Sequence, residues 1–129
     1  MAACFRLPVS AALLVLACCA SAAAQLPAGV TLQRDAQGWV YVDARQRPLL
    51  RPFLYDNGPD YIQEGLARFV DNGKIGFHDA DLNIVIPARY DFAFPFEHGE
   101  ARAGFDCWYS REGEHTSVHC LRWETLRRP

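Results

Sequence analysis

The sequence lacks any long run of charge of one sign. Basic and acidic residues alternate along its 129 residues, and the formal net charge is −2. A nucleic-acid-binding domain usually carries a basic patch or stripe, so this pattern predicts no nucleic-acid partner. The composition, 50% hydrophobic and 22% charged, is that of a single globular domain rather than of a disordered chain.

Common catalytic motifs are also missing from the sequence. No serine or cysteine stands in a nucleophile elbow, and no glycine-rich loop has the spacing that cradles a phosphate. The four histidines are scattered, and scattered positions do not predict the close contacts that acid–base catalysis needs. We therefore expect no enzyme activity, no catalytic residue, no cofactor and no metal. The histidines are His78, which we expect to be exposed in a strand, His98, His115 and His119.

No apolar run in the sequence is long enough to cross a bilayer, which takes about 20 residues. In the first 24 residues Arg6 is the only charge, and a short apolar run, Val9–Ala17, precedes small residues up to Ala24. This pattern is typical of a secretory signal peptide. We predict a signal helix over residues 1–24, cleaved before Gln25. The alternative is a lipid anchor at Cys18, because residues 15–18 loosely resemble a bacterial lipoprotein box.

Cysteine is scarce beyond the signal segment, where only Cys107 and Cys120 remain. An even pair in an oxidising compartment predicts a disulfide. Zinc is the alternative, since His115 and His119 would complete a set of suitable ligands. The compartment favours the disulfide, and so does the hairpin geometry, in which both histidines point away from the cysteines.

Residues 105–123 predict a terminal β-hairpin. Pairing Cys107 with Cys120 leaves Gly113-Glu114 as a two-residue turn, with glycine first as a type II′ turn requires. Because cross-strand partners share a face, Tyr109 and Val118 join the cysteines on one side. We expect this hairpin to cap the domain, since the last unit of a stacked array must close its apolar face.

The middle of the chain contains two similar segments about 35 residues apart, a period that indicates a repeat architecture. Each copy combines short alternating or β-branched stretches with turn residues, and Asn72-Gly73 predicts a hairpin turn. The matching segments are Trp39–Asp43 with Ile75–Asp79, Pro52–Asp56 with Pro87–Asp91, and Gly65–Arg68 with Gly99–Arg102.

Two details of the second copy are also predicted. Leu82–Ile86 reads as a strand that Pro87 ends. The alternation of Phe92, Phe94 and Phe96 would place three rings on one side of an extended segment.

The second copy resembles the WG-repeat family, also called KWG repeats, whose unit runs E-G-L-A, N-G-K-W-G-Y-I-D, I-V-I-P and Y-D. The name-giving Trp-Gly pair is Ile75-Gly76 here and Trp39-Val40 in the first copy. The resemblance implies short β-strands and hairpins, usually without enzymatic activity, and leaves the ligand open. The residues that carry it are Glu64–Ala67, Asn72–Asp79, Ile84–Pro87 and Tyr90-Asp91.

We therefore predict an all-β domain over residues 25–129, with repeats at 38–72 and 73–104 and a disulfide-closed terminal hairpin. We expect an exported binding or scaffolding module, periplasmic or secreted, with a protein or cell-envelope component as partner. The alternative is a small envelope hydrolase or inhibitor-like factor that uses its histidines and aspartates.

Four aromatic residues, and four aspartates that lie at equivalent repeat positions, are the remaining candidates. Exposed aromatics could stack on sugars or anchor a protein, although filling the thin core is the favoured role. The aspartates suit turn capping better than acid–base work. The aromatics are Trp39, Tyr41, Tyr55 and Tyr90; the aspartates are Asp43, Asp56, Asp79 and Asp91.

Mass spectrometry of the exported protein tests the processing prediction. We expect a mature chain that begins at Gln25 and has no free thiol under non-reducing conditions, because Cys107 and Cys120 are bonded to each other. A lipidated N-terminal Cys18 would establish the anchored form instead. Two free thiols would contradict the disulfide.

Overall fold

The computed structural model describes residues 26–129, and within this range every regular element is a β-strand. The all-β prediction is therefore confirmed. The predicted signal helix and the lipid alternative at Cys18 lie outside the described residues. In the described part of the chain no helix is long and apolar enough to cross a membrane.

The strands form three antiparallel sheets. The largest has the order β1-β2-β3-β6-β7-β8, a second has the order β11-β10-β9, and β4 and β5 form a small pair. The strand bounds are β1 Thr31–Asp35, β2 Gly38–Val42, β3 Pro48–Pro52, β4 Leu54–Tyr55, β5 Gly58–Pro59, β6 Leu66–Asp71, β7 Lys74–Asp79, β8 Ile84–Tyr90, β9 Phe92–Ala93, β10 Glu100–Glu112 and β11 His115–Arg127.

The turns that follow β2 and β7 are the same structure built twice. Asp43 Oδ1 and Asp79 Oδ1 each accept two backbone N–H groups, two and four residues further on. Gln46 and Leu82 take the same left-handed conformation, with φ of 63° and 66°. These hydrogen bonds, led by the N–H four residues on, lower the pKa of both carboxyls. Asp43 and Asp79 are turn caps, as predicted.

The other predicted pair, Asp56 and Asp91, is not equivalent in the structure. Asp56 lies at the tip of the β4–β5 hairpin, where the sequence indicated only a loop. Asp91 pairs with Lys74 and accepts the N–H of Asp106, and these contacts lower the pKa of its carboxyl.

Glycine turns start β6 and β10 in the same way. Glu64-Gly65 and His98-Gly99 each have two consecutive left-handed residues, a geometry that glycine tolerates best. Flanking backbone bridges join Gln63 to Leu66 and Glu97 to Glu100. The segment before β6 therefore holds a tight turn.

Strand β8 runs through Pro87 instead of ending there, which corrects the prediction. Its register against β7 shifts between the pairs Phe77↔Ile86 and Ile75↔Tyr90. The residues between them form a bulge, where a proline can lie without interrupting the hydrogen-bond ladder. Gly76 faces this bulge, and a Cβ there would come within 2.4 Å of the Ile86 carbonyl oxygen.

The first copy has Val40 where the second has Gly76, and the strand that follows takes a different route. β3 pairs with β2 only at Tyr41↔Leu50 and Val42↔Pro48, then crosses to pair with β6. β8 instead stays on β7 along its whole length. The first route extends the large sheet, whereas the second ends it.

The core lies between the two larger sheets, and its largest fully buried side chains are aromatic. Tyr90 is fully buried, and Phe77 packs edge-on against Phe96 with ring centroids 4.8 Å apart. Phe96 therefore does not share a side with Phe92 and Phe94, contrary to the prediction, because β9 ends at Ala93 and Pro95 follows. A second, smaller core cluster surrounds Phe69.

A buried ion pair links the two sheets. Arg68 on β6 donates from Nε and Nη2 to the two carboxylate oxygens of Asp60, both at 2.8 Å. Its Nη1 donates to the carbonyl of Ala93 on β9, also at 2.8 Å. The side chains of Arg68 and Asp60 are 4% and 1% exposed. The backbone N–H of Arg68 completes the shell of Asp60.

Substitution of Gly76 tests the close approach of β8. We expect Gly76→Ala to lower the free energy of unfolding by about 1–3 kcal/mol, because the added methyl group meets backbone that cannot move aside cheaply. Gly58→Ala is the matched control, since no atom lies within 4 Å of its added Cβ. Urea denaturation measures both, and equal effects would contradict the assignment.

Substitution of Arg68 or Asp60 tests the buried pair. We expect Arg68→Met and Asp60→Asn each to cost about 3–5 kcal/mol, because each leaves a buried partner uncompensated. The control, Arg127→Met, breaks the exposed pair with Glu100 and should cost less than about 1 kcal/mol. In urea denaturation the double variant Arg68→Met/Asp60→Asn should lose less than the sum of the two single changes. Equal costs for Arg68→Met and Arg127→Met would refute the role of the pair.

Candidate binding surface

The β9–β10–β11 sheet has one buried face and one outward face. Ala93, Ala101 and Ala103 lie in the core, and Leu126 packs against them. Small side chains at these positions let the sheet approach the β6–β7–β8 region closely. The opposite face is therefore free to carry side chains for another purpose.

The hairpin β10–β11 has the predicted register. Cys107 pairs with Cys120, the two are joined by a disulfide, and Gly113 opens the turn with φ of 63°. The cysteines are therefore not available as zinc ligands. Gly104 lies beneath the disulfide, because a Cβ there would come within 2.2 Å of Cys120 Sγ. The hairpin is longer than residues 105–123, since its strands cover 100–127.

Aromatic rings from distant parts of the chain meet on the outward side, and we call this set the aromatic face. Phe92 contacts three of them, with centroid distances of 4.9 Å to Phe94, 6.3 Å to Tyr109 and 6.5 Å to Phe53. Phe94 stacks on Trp123 at 5.8 Å with an interplanar angle of 18°. The members are Phe53, Tyr55, Phe92, Phe94, Tyr109 and Trp123.

A groove of about 310 Å³ lies at the aromatic face. Phe53, Tyr55, Phe92 and Phe94 line it. Arg68 forms the floor, with its guanidinium carbon 4.2 Å from the Phe53 ring centre and 5.9 Å from that of Tyr55. Because Asp60 compensates the charge of Arg68, the groove is apolar and has no free charge at its floor.

The outer members of the aromatic face are accessible. Tyr55, Phe94 and Tyr109 are 53%, 40% and 59% exposed. A monomeric protein rarely groups exposed large apolar side chains in this way without a binding role. The inner members, Phe53, Phe92 and Trp123, are half-buried and hold the exposed rings in place.

The four aromatic residues predicted from the sequence as possible binding residues lie in different environments. Tyr55 belongs to the aromatic face. Tyr41 and Tyr90 are buried in the core and do not belong to the aromatic face. Trp39 is half-buried on β2, covered by the guanidinium of Arg34 at 5.0 Å. Of the four, Tyr41 and Tyr90 have the core role that the sequence favoured.

Sequence reasoning missed most of the aromatic face. The alternation of Phe92 and Phe94 was a usable signal, since it placed two rings on one side of a strand. Nothing local to Phe53, Tyr109 or Trp123 shows that they meet these rings. Their contacts depend on the pairing of β9 with β10 and on Arg68, which brings β6 next to β9.

The histidines do not form a shared site in the described chain. His78 is buried at 4% exposure, contrary to the prediction, and its Nδ1 contacts the carbonyl oxygen of Asp79 at 2.7 Å. His119 stacks on Trp108 and contacts Ser110 Oγ at 2.8 Å on the exposed hairpin. Over residues 26–129, no group of three potential ligands is placed to hold a metal ion.

The comparisons with known proteins identify the repeat. A family model described as "WG containing repeat" matches residues 75–105. This segment covers β7, β8, β9 and the start of β10. Neither the curated proteins nor the solved structures contain a match to this chain. With Gly76 close to the backbone of β8 and the Tyr90-Asp91 pair after it, the chain contains a WG repeat at residues 75–105.

Proposed function

We propose that this protein is an exported, non-catalytic binding or scaffolding module of the cell envelope. Two WG-like units, sealed by the disulfide hairpin, would form the module, and the aromatic face would dock a protein or another envelope component. The observation that carries the proposal is this cluster of six aromatic rings, of which four line an apolar groove and three are well exposed.

The chemistry of the aromatic face suits the centre of a binding interface. Tyrosine and tryptophan are enriched among the residues that dominate binding energy, because they offer large rigid contact areas at low entropic cost. Phe92 contacts the exposed rings of Phe94 and Tyr109, and Trp123 stacks on Phe94, so the surface is largely preorganised. A partner would therefore lose little free energy in ordering it.

Two features support an exported location. The first 24 residues have the pattern of a secretory signal peptide. The Cys107–Cys120 disulfide suits an oxidising compartment such as the periplasm or the cell exterior. Lipid attachment at Cys18 would keep the same module at a membrane surface.

The placement of the titratable residues favours binding over catalysis. Asp43 and Asp79 are committed to turns, and His78 is enclosed. The alternative, a small hydrolase or inhibitor-like factor, has one observation in its favour, the contact between Ser110 Oγ and His119 Nε2. Within residues 26–129 no carboxylate hydrogen-bonds to this His119 ring to orient it as a base. Substituting both Ser110 and His119 with alanine should leave the protein's function unchanged if the module only binds.

Affinity capture from cell-envelope extract tests the proposal. We expect the Tyr55→Ser/Tyr109→Ser variant to lose at least about tenfold in capture of the wild-type partner, as removal of interface anchors does. Both side chains are exposed, so the fold should survive, and circular dichroism checks this.

Leu49→Ser is the matched control. It removes a side chain of similar exposure, 44%, on β3 and away from the aromatic face. Capture should be unchanged by this substitution. A wild-type protein that captures nothing, or equal capture by all three proteins, would count against the proposed function.

A further inference from the structure

A second cavity, separate from the aromatic groove, lies beside β2 and β7. It has a volume of about 310 Å³ and is lined mostly by apolar side chains, including Tyr41, Ile62 and Leu82. His78 and Asp60 are its polar neighbours. Pockets of this size that are mostly apolar with a few polar groups are typical of small-molecule sites.

The hydrogen bonding of His78 determines which of its ring nitrogens donates a hydrogen bond and which one can accept one from a ligand. A carbonyl oxygen can only accept, so Nδ1, at 2.7 Å from the Asp79 carbonyl, must be the donor. In the neutral ring Nε2 is therefore an acceptor. Within residues 26–129, every side-chain nitrogen or oxygen that is fully enclosed has a hydrogen-bond partner. Nε2 of His78 has none in that range, so this atom is not fully enclosed. The Nε2 atom therefore reaches the space that the ring borders.

The first repeat shows that the fold does not need a histidine at this position. Val42 and His78 are equivalent, because each immediately precedes the aspartate that caps the same turn. Val42 is buried at 6% exposure and His78 at 4%. One copy therefore fills the position with an apolar side chain, and the other places a hydrogen-bond acceptor there. A polar group that is buried without structural need is a candidate for recognition.

The surroundings of the cavity limit the chemistry of its occupant. The Asp60 carboxylate is fully engaged by Arg68, so it offers no free charge. An ionic molecule would therefore find no counter-ion there. A cavity of about 150 Å³ binds benzene, so a space of about 310 Å³ suits a molecule of about two fused rings.

We propose that this cavity binds a small, neutral, largely apolar ring molecule that carries one N–H or O–H donor. The donor points at Nε2 of His78, and the ring lies among Tyr41, Ile62 and Leu82. The edges of Tyr41 and Phe69 flank the imidazole, with centroids 6.4 Å and 6.3 Å away, and fix its orientation.

Indole and 1-methylindole are suitable probes, since the second lacks the N–H donor. Each is titrated into the purified protein at pH 8 while NMR signals of Tyr41, His78 and Leu82 are followed. We expect indole to bind about 3- to 10-fold more tightly than 1-methylindole, the worth of one hydrogen bond. If neither probe shifts these signals, or if the two bind equally well, the proposal is wrong.

Three variants separate the hydrogen bond from the shape of the cavity. His78→Val, which copies the first repeat, should keep the fold and remove the preference for indole. Leu82→Trp should fill the cavity and abolish binding of both probes. His119→Val, which changes an exposed hairpin histidine, should leave the preference intact. If His78→Val still binds indole more tightly than 1-methylindole, the preference comes from the additional methyl group of 1-methylindole. That result would overturn the role of His78.

Discussion

The buried pair of Arg68 and Asp60 is the contact on which the rest of the arrangement depends. A guanidinium in an apolar interior is tolerated only when its donors are satisfied. Here they reach a carboxylate from the preceding loop and a carbonyl of the second sheet, so one side chain fixes three segments at once. The loop, the sheet junction and the floor of the aromatic groove share this single anchor.

The two repeats share the same backbone turns and differ in the side chains next to those turns. The turns after β2 and β7 make the same hydrogen bonds. The residue before the capping aspartate is Val42 in the first turn and His78 in the second. Arg68 is buried with Asp60, whereas its counterpart Arg102 lies over the ring of Trp123 at 4.2 Å. The two repeats therefore share a backbone frame, and different side chains at a few equivalent positions give them different surfaces.

Local features could be predicted from the sequence, and long-range ones could not. The Cys107–Cys120 register and the aspartate turns depend on residues close together in the chain, so spacing and turn chemistry sufficed. The partnership of Asp60 with Arg68 was hidden because it depends on how two sheets meet. The same junction assembles the aromatic face, and His78 is buried against Tyr41 and Phe69 of the large sheet. Neither position could be derived from alternation alone.

The exchange of Gly76 for Val40 bears on how tandem units of this kind are joined. Where glycine is present, the returning strand folds closely onto its own hairpin, and the next hairpin begins a new sheet. Where valine is present, the returning strand β3 pairs first with β2 and then with β6, so the sheet continues. In the two units of this chain, the residue at this position differs together with the route of the strand that follows. In longer chains of such units, the residue at this position would mark where a continuous surface is interrupted.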